Sequence, residues 1–463
     1  MRNVTDPRKI KPENVVRRRS FRSLAKAWVA SALCVIPGLY CAGVVAFALR
    51  NAEDYATALP QFVRYVLAPG LLAILFAWAA IRGSRVLRVN LGAAATAVLV
   101  LLFANEARLE ARYLSAVSDL FAAGTTDSSG RAVPVHGLPP ARTVKGLNQK
   151  LATVRMEDAV VGGIPFSHVD LCASGGRAIT YRADRYGFRN PETVYSGPID
   201  LAVIGDSFVE GICLPEGSDL MGRIRTRNAQ AVGLGVRGAG PLMYLAMLGR
   251  YGPILRPNWT VIAFYEGNDW EDLERELRVG WLRQGLDGAA SFGPADLSPE
   301  HAKSAEAQAR QWASEPPPTS RDLIQKTHTL RNFLALHQTW TQLGLGYPKV
   351  ARRIPEFEQA LARARTLVAG WNGRLALAYI PQTSRFVGIF PDKFTYDQLR
   401  SRVAAAANTQ GIPFIDLTPA IARQAQPMAL YGEGHFNAEG ARLSADTIMS
   451  VLDELRKPGG DAR

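Results

Sequence analysis

The stretch from Ala27 to Leu49 contains no charged residue, and it constrains the fold more than any other part of the chain. A helix of this length crosses the hydrocarbon core of a bilayer. Two further apolar segments, 65–81 and 89–105, are at the short end of the membrane-spanning range. They fit either two more membrane helices or a buried hairpin of soluble helices, and their charged flanks favour the membrane. We therefore predict a bundle of about three transmembrane helices within residues 27–106.

The positive charges predict how this bundle is oriented. Lysines and arginines concentrate in residues 1–26 and again in the loop 82–88, whereas the loop 50–64 carries both signs. The positive-inside bias then places the N-terminus and the loop 82–88 in the cytoplasm. Ala46-Phe47-Ala48 resembles a signal-peptidase site, but the apolar stretch before it is long for a signal peptide, which favours an uncleaved anchor. We expect a multi-pass inner (plasma) membrane protein whose chain after about residue 106 is extracytoplasmic, or periplasmic.

Composition limits the remaining classes. The chain has 463 residues, four cysteines and a net charge of +13. A positive charge of this size can indicate nucleic acid, but here it lies at the membrane flanks, without zinc-finger spacing or basic stretches interleaved with aromatics. We therefore expect the lipid bilayer, and not nucleic acid, as a partner. Cys172 and Cys213 would lie in an oxidising compartment, where they could pair or remain free.

Residues 107–180 read as a linker and lead-in, because 122–140 is rich in Gly, Ser, Thr, Asp and Pro and 146–180 has weak periodicity. Strand and helix patterns then alternate over 181–457, which predicts an α/β domain with a parallel sheet between helical layers. The expected strands are 199–204, 231–235, 259–265, 375–380 and 413–417. A helical insertion at about 275–370 interrupts this pattern. It is either a solvated excursion or a cap that selects substrate.

The apolar run 199–204 ends at Gly205-Asp206-Ser207. A continuous apolar run is typical of a parallel strand buried on both faces, and ligands bind beyond the carboxyl ends of such strands. Ser207 would then lie at the mouth of the sheet, at the start of a helix whose N–H groups favour developing negative charge. The alternative is an ordinary helix N-cap, since Asp and Ser are both good caps.

A serine nucleophile needs a base and an acid that orients the base. We assign the base to His435, which lies in a glycine-rich loop between the last strand and the last helix. Glu433, two residues earlier, can reach the far side of the imidazole if the loop is extended. Glu439 is nearly as close in sequence. It lies in the first turn of the last helix, where a carboxylate interacts favourably with the helix dipole, and we interpret it in this way.

The same chemistry needs N–H donors for an oxyanion. The candidates are the backbone N–H of Ser207, the backbone N–H of Gly238 in a glycine-rich turn, and the side-chain amide of Asn268. Gly238 follows the second expected strand and Asn268 the third. No metal site or other cofactor is expected from this residue set.

Together these residues resemble the SGNH (GDSL-type) hydrolase superfamily. Its four blocks occur in the family's order over roughly residues 181–457. The lead-in Gly187-Phe188-Arg189 and the acidic Asp416 of the fifth expected strand also resemble the sequences of superfamily members. The resemblance implies a flavodoxin-like three-layer α/β/α fold and acyl-ester chemistry. The four blocks are Gly205-Asp206-Ser207, Gly238, Gly267-Asn268-Asp269 and His435.

Two positions depart from the family pattern. Gly233 stands near the place where the second block usually carries an asparagine, and Gly432 occupies the usual place of aspartate three residues before the histidine. The spacing of Glu433 is closer to the Asp-x-His of SGNH-like polysaccharide O-acetyltransferases. Ser207 and His435 match the family pattern, whereas the third triad member departs from it.

Three functions follow from these observations. The leading hypothesis is a membrane-anchored extracytoplasmic esterase that removes O-acyl groups, foremost acetyl, from an acylated carbohydrate or a small ester. The second is an O-acetyltransferase that modifies an envelope polysaccharide, for which a polysaccharide-modification complex is a candidate partner. The third is a catalytically inactive protein that binds glycan or scaffolds an assembly.

Overall fold

The computed structural model describes residues 12–56, 59–122, 144–174, 177–313, 319–345, 352–388, 396–432 and 434–457. Residues 1–11 of the predicted basic N-terminus, residues 123–143 of the predicted linker and Glu433 lie outside these ranges. The chain forms two compact units. One is Met1–Glu110 with Asn332–Thr339, and the other is Ala111–Arg331 with Trp340–Arg463.

The first unit consists of helices. Three stretches, Ser31–Arg50, Val63–Arg82 and Arg85–Ser115, are long and apolar enough to cross a membrane by length and composition. Large apolar side chains on these stretches are exposed, as a lipid-facing surface requires. The helices are α1 (Pro12–Arg50), α2 (Ala52–Tyr55), α3 (Leu59–Phe62), a π-helical turn (Val63–Leu67), α4 (Ala68–Arg82) and α5 (Arg85–Ala122).

The segment Asn332–Thr339 also belongs to the first unit, although it lies far along the chain. The ring of Phe333 lies 5.3 Å from that of Phe103 on α5. Glu106, also on α5, is fully buried and accepts the backbone N–H groups of Gln338 at 2.9 Å and Thr339 at 2.7 Å. Part of the predicted insertion, Asn332–Thr339, is thus attached to the third apolar helix. The sequence of the insertion does not reveal this attachment.

The second unit contains a five-stranded parallel sheet, which confirms the predicted α/β class. The strands are β1 (His168–Ser174), β2 (Arg177–Arg182), β3 (Leu201–Gly205), β4 (Ala231–Gly235), β5 (Trp259–Tyr265), β6 (Arg374–Ile380), β7 (Phe414–Asp416), β8 (Tyr431–Gly432) and β9 (His435–Phe436). The spatial order of the five parallel strands is β4-β3-β5-β6-β7, the flavodoxin-like doubly wound order, in which the direction of strand addition across the sheet reverses at β3.

Helices cover both faces of this sheet. Along β3, Ala202 and Ile204 join one buried apolar cluster, while Leu201 and Val203 join the other, as period-two alternation requires. The remaining helices are α6 (Val144–Lys150), α7 (Ser207–Glu210), α8 (Leu220–Arg225), α9 (Pro241–Leu255), α10 (Asp269–Glu276), α11 (Gly280–Arg283), α12 (Pro299–Ala313), α13 (Ser320–Lys326), α14 (Thr329–Leu334), α15 (His337–Leu343), α16 (Pro355–Ala369), α17 (Asp397–Thr409), α18 (Thr418–Ala422) and α19 (Ala438–Arg456).

The two layers use different helices. Helices α9 and α16 contribute to the first cluster, and α8 and α19 to the second. Phe357 of α16 packs edge-on against Phe264 of β5, with ring centroids 5.6 Å apart. The last helix before β6 is therefore part of the layered core.

The lead-in before β3 is fixed to the sheet by one side chain and to the segment after α7 by a disulfide. The side-chain amide of Asn190 donates to the carbonyl of Gly233 at 2.9 Å and accepts its N–H at 2.8 Å. This amide therefore satisfies backbone groups on the free edge of β4. Cys172 of β1 and Cys213, which follows α7, form a disulfide with Cα atoms 5.4 Å apart.

We expect two free thiols in denatured, non-reduced protein and four after reduction. Cys34 and Cys41 are unpaired with another cysteine, and only Cys172 and Cys213 form a disulfide. The measurement is thiol counting by maleimide mass shift on protein that is denatured in the presence of maleimide, with and without prior reduction. Four reactive thiols without reductant would contradict the pairing.

Candidate active site

Ser207 is the first residue of α7, directly beyond the carboxyl end of β3. Asp206 is the N-cap, and its Oδ1 accepts the backbone N–H of Phe208 at 2.9 Å. Glycine at 205 suits this tight turn, because a Cβ there would lie 2.5 Å from Cγ2 of Val209 and 3.1 Å from the backbone oxygen of Ala263. The absence of a side chain thus lets Val209 of α7 pack against the end of the strand.

Ser207 and His435 lie together. Their Oγ and Nε2 atoms are 2.8 Å apart, although 228 residues separate them in sequence. The antiparallel pair β8–β9 presents His435, with Gly432 opposite it in the register. The ring of Phe208 lies 5.0 Å from the imidazole and 4.8 Å from the ring of Phe436, which restricts the orientation of the imidazole. This geometry allows direct proton transfer from hydroxyl to imidazole.

Of the two carboxylates considered near His435, Glu433 lies outside the described residues, so its role stays a prediction. Glu439 is exposed in the first turn of α19, and its carboxylate pairs with Arg442. That ion pair lowers the pKa of Glu439. The N-cap of α19 is Asn437, whose Oδ1 accepts the N–H groups of Glu439 and Gly440, each at 3.0 Å.

A third carboxylate, that of Asp206, lies beside the nucleophile. Its Oδ2 is 3.3 Å from Oγ of Ser207, and burial raises its pKa to about 7. An ionised carboxylate at this place would compete with the imidazole for the hydroxyl hydrogen. Burial reduces this competition, because it favours the neutral acid. At neutral pH the carboxyl group is therefore only partly ionised, and its competition for the Ser207 hydroxyl is weakened but not removed.

The turn that carries Gly238 is tied to the nucleophile's helix. Glu210, the last residue of α7, is buried and accepts the backbone N–H of Arg237 at 3.0 Å. The same carboxylate forms an ion pair with the Arg237 guanidinium at 2.5 Å and accepts the hydroxyl of Tyr181 at 3.0 Å. Gly238 itself has φ +70°, in the left-handed region. The Glu210 carboxylate thus links the first and second predicted donors.

Asn268 follows β5, the other neighbour of β3 in the sheet. Its Nδ2 donates to Oδ2 of Asp272 at 2.7 Å. Since a side-chain amide has two donor hydrogens, this bond uses one and leaves the second for another acceptor. The structure thus places Ser207, Gly238 and Asn268 beyond the carboxyl ends of three adjacent strands.

Several buried carboxylates around the site were missed by sequence reasoning. Glu266 is fully buried at the end of β5 and accepts Tyr379 Oη at 2.5 Å, Gln382 N at 2.9 Å and Arg385 Nε at 3.1 Å. The sequence signal for Glu266 is its position directly after a buried apolar strand, because a carboxylate at such a place needs a partner. The described residues contain no group of three or more His, Cys, Asp or Glu side chains able to hold a metal.

No protein-family model and no curated protein matches this chain. Several solved structures are similar to it, among them two at low identity. One, from Bacteroides fragilis NCTC 9343, is described as an acylhydrolase and has 13% identity and a TM-score of 0.29 over 58% of this chain and 96% of its own. The other is a two-domain esterase active on acetylated mannans, with 12% identity and a TM-score of 0.28 over 58% of this chain and 52% of its own. TM-scores this low do not establish a shared fold.

We expect Asp206→Asn to change how stability depends on pH. The pKa of Asp206 is raised from 3.8 to about 7, so the folded state holds a proton that the unfolded state releases between these values. Its contribution to stability is therefore full below the unfolded pKa and is lost as the pH rises through about 7. Between pH 3.8 and about 7, the free energy of unfolding of the wild type should fall by up to roughly 4 kcal/mol relative to that of the variant.

The measurement is the apparent melting temperature of both proteins in detergent from about pH 4 to 8. The asparagine keeps an acceptor for the Phe208 N–H. The melting temperature of the variant should therefore rise relative to that of the wild type as the pH rises. A difference in melting temperature that does not vary with pH would contradict the assignment.

Proposed function

We propose that this chain is a serine esterase in which Ser207 is the nucleophile and His435 the general base. The observation that carries the proposal is the 2.8 Å distance between Ser207 Oγ and His435 Nε2 at the carboxyl edge of a parallel sheet. Two separate elements hold the pair together, the first turn of α7 and the β8–β9 pair, whose His435 packs on Phe208.

The reaction follows from the geometry. His435 Nε2 takes the proton of Ser207 as Oγ attacks the ester carbonyl carbon. The backbone N–H groups of Ser207 and Gly238 and the amide of Asn268 would stabilise the oxyanion. Collapse releases the alcohol with the proton from His435, and water, activated by the same imidazole, then frees the acid. Glu433 would hold the second ring nitrogen of His435.

The fold and the order of the blocks support a place in the SGNH hydrolase superfamily. The flavodoxin-like strand order puts Gly205-Asp206-Ser207, Gly238 and Asn268 after the first, second and third parallel strands. His435 precedes the last helix, as in the family pattern. Gly233 and Gly432 still depart from the family pattern. Beside Gly233, however, lies an asparagine from the lead-in, Asn190.

The location of the reaction is proposed from the helices and the disulfide. Three helices are long and apolar enough for membrane spans. The charge distribution supports a location of the catalytic unit outside the cytoplasm, at an inner membrane. The Cys172–Cys213 disulfide is typical of such an oxidising compartment. Ser207 is only 8% exposed, which suits a small acyl group. We therefore propose O-acetyl esters of an envelope glycan as the substrate class.

Ser207→Ala and His435→Ala should each lower the turnover of p-nitrophenyl acetate by at least about 10³-fold, because each removes one half of the nucleophile–base pair. The measurement is steady-state hydrolysis by the detergent-solubilised full chain. Ser444→Ala is the matched control, a buried serine in α19 that should keep wild-type turnover. Undiminished turnover by a folded Ser207→Ala protein would refute the proposal.

A panel of O-acetylated oligosaccharides then separates hydrolysis from transfer. We expect free acetate in stoichiometric amount with deacetylated sugar. Acetyl groups recovered on an added carbohydrate acceptor would indicate an O-acetyltransferase. Glycan binding without any turnover would indicate the inactive binding protein.

A further inference from the structure

Helix α10 begins at Asp269, directly after the predicted oxyanion donor Asn268, and carries three buried carboxylates. Asp269, Asp272 and Glu276 are spaced by three and four residues, so they lie on one face of the helix. Three buried acids within eight residues are costly unless each one has a defined partner. Their partners lie at the two turns that hold the predicted oxyanion donors.

Asp272 holds the amide of Asn268. Its Oδ2 accepts Nδ2 of Asn268 at 2.7 Å, while its Oδ1 lies 3.1 Å from Nζ of Lys145 and 3.2 Å from Nη1 of Arg275. A side-chain amide is planar, so fixing one of its N–H bonds also fixes the direction of the other. A charged acceptor makes this constraint stronger than a neutral one would.

Glu276 holds the end of the turn that contains Gly238, where α9 begins. It is fully buried and accepts the backbone N–H groups of Gly240 at 2.7 Å and Leu242 at 2.9 Å, at the start of α9. Gly240 packs directly on α10, because a Cβ there would lie 2.7 Å from Cβ of Asp272. The turn that contains Gly238 therefore rests against the same helix face that orients Asn268.

Asp269 completes the connection. Its Oδ2 accepts the backbone N–H of Tyr265 and the hydroxyl of Tyr244, each at 2.8 Å. The same hydroxyl lies 3.2 Å from the carbonyl oxygen of Ala239, the residue after Gly238. Lys145 is near both Asp272 and Glu276, at 3.1 and 3.3 Å, and partly balances their charge.

We propose that the carboxylates of α10 form a positioning device for the oxyanion site, in which Asp272 orients the amide of Asn268 toward the reacting carbonyl. This inference rests on the proposed esterase function and adds a residue that acts through another. Asp272 does not touch the substrate. Its loss should weaken stabilisation of the transition state and leave ground-state binding unchanged.

The test is a double-mutant cycle between Asp272→Ala and Asn268→Ala in the detergent-solubilised full chain, with rates normalised to titrated active sites. We expect Asn268→Ala to lower kcat by about 10²-fold or more, and Asp272→Ala to lower it by about 10- to 100-fold with little change in KM. In the Asn268→Ala background, Asp272→Ala should have no further effect beyond about threefold, because its target is gone.

Two readouts separate positioning from general damage. The inhibition constant of an aryl boronic acid, which mimics the tetrahedral oxyanion, should rise in Asp272→Ala by the same factor by which kcat/KM falls. Asp272→Asn keeps an oxygen acceptor for the Asn268 amide and should recover most of the lost rate. Glu274→Ala, on the same helix, is the matched control and should behave as wild type.

Asp272→Glu covers the case in which Asp272→Ala does not fold, since it keeps the charge but displaces the acceptor. A folded Asp272→Glu with wild-type kcat and inhibitor affinity would overturn the inference. Full additivity of the two alanine variants would also overturn it. If Ser207→Ala remains active, the esterase proposal fails and the inference fails with it. If Ser207→Ala is inactive and the cycle is additive, only the inference fails.

Discussion

The in-register pairing of β3 with both of its neighbours is the constraint on which the site depends. Gly205 at the end of β3 lies opposite Gly235 of β4 and Ala263 of β5. Because parallel strands end at the same edge, the three loops that follow must emerge side by side. The nucleophile, the Gly238 turn and Asn268 are brought together by this register before any side-chain contact is considered.

Buried carboxylates then fix what the backbone brings together. Glu210 ties the Gly238 turn to the nucleophile's helix, Glu266 ties the end of β5 to the segment after β6, and Asp272 ties Asn268 to α10. Each carboxylate is buried, and replacing such groups with apolar side chains is often neutral or stabilising for a fold. Their concentration at one edge of the sheet therefore favours positioning over stability as their role.

Local patterns in the sequence were sufficient for much of the architecture. The strands Ala231–Gly235 and Trp259–Tyr265 have the bounds that their apolar runs predict, and the α/β class follows from their alternation with helices. Ser207 and His435 could be paired in advance because each has a local signal. Ser207 follows a glycine and an aspartate at the end of an apolar run, and His435 lies in a glycine-rich stretch before the last helix. Each signal occupies only a few consecutive residues, so the sequence alone shows it.

Other features depend on contacts that no local pattern records. An acidic residue in a short amphipathic helix such as α10 reads as solvent-facing, and only the packing of Gly240 against it reveals that Asp272 and Glu276 face inward. The attachment of Asn332–Thr339 to the end of α5 likewise joins segments more than two hundred residues apart. The pairing of Cys172 with Cys213 required the distance between their Cα atoms, which spacing along the chain does not give.

The central claim is that Ser207 is a nucleophile activated by His435, and the most direct measurement is the site of covalent labelling by a fluorophosphonate. The account predicts a single adduct on the peptide that carries Ser207, formed by the wild-type chain and lost when His435 is replaced by alanine. An adduct on another residue, or equal labelling of Ser207 without His435, would contradict it.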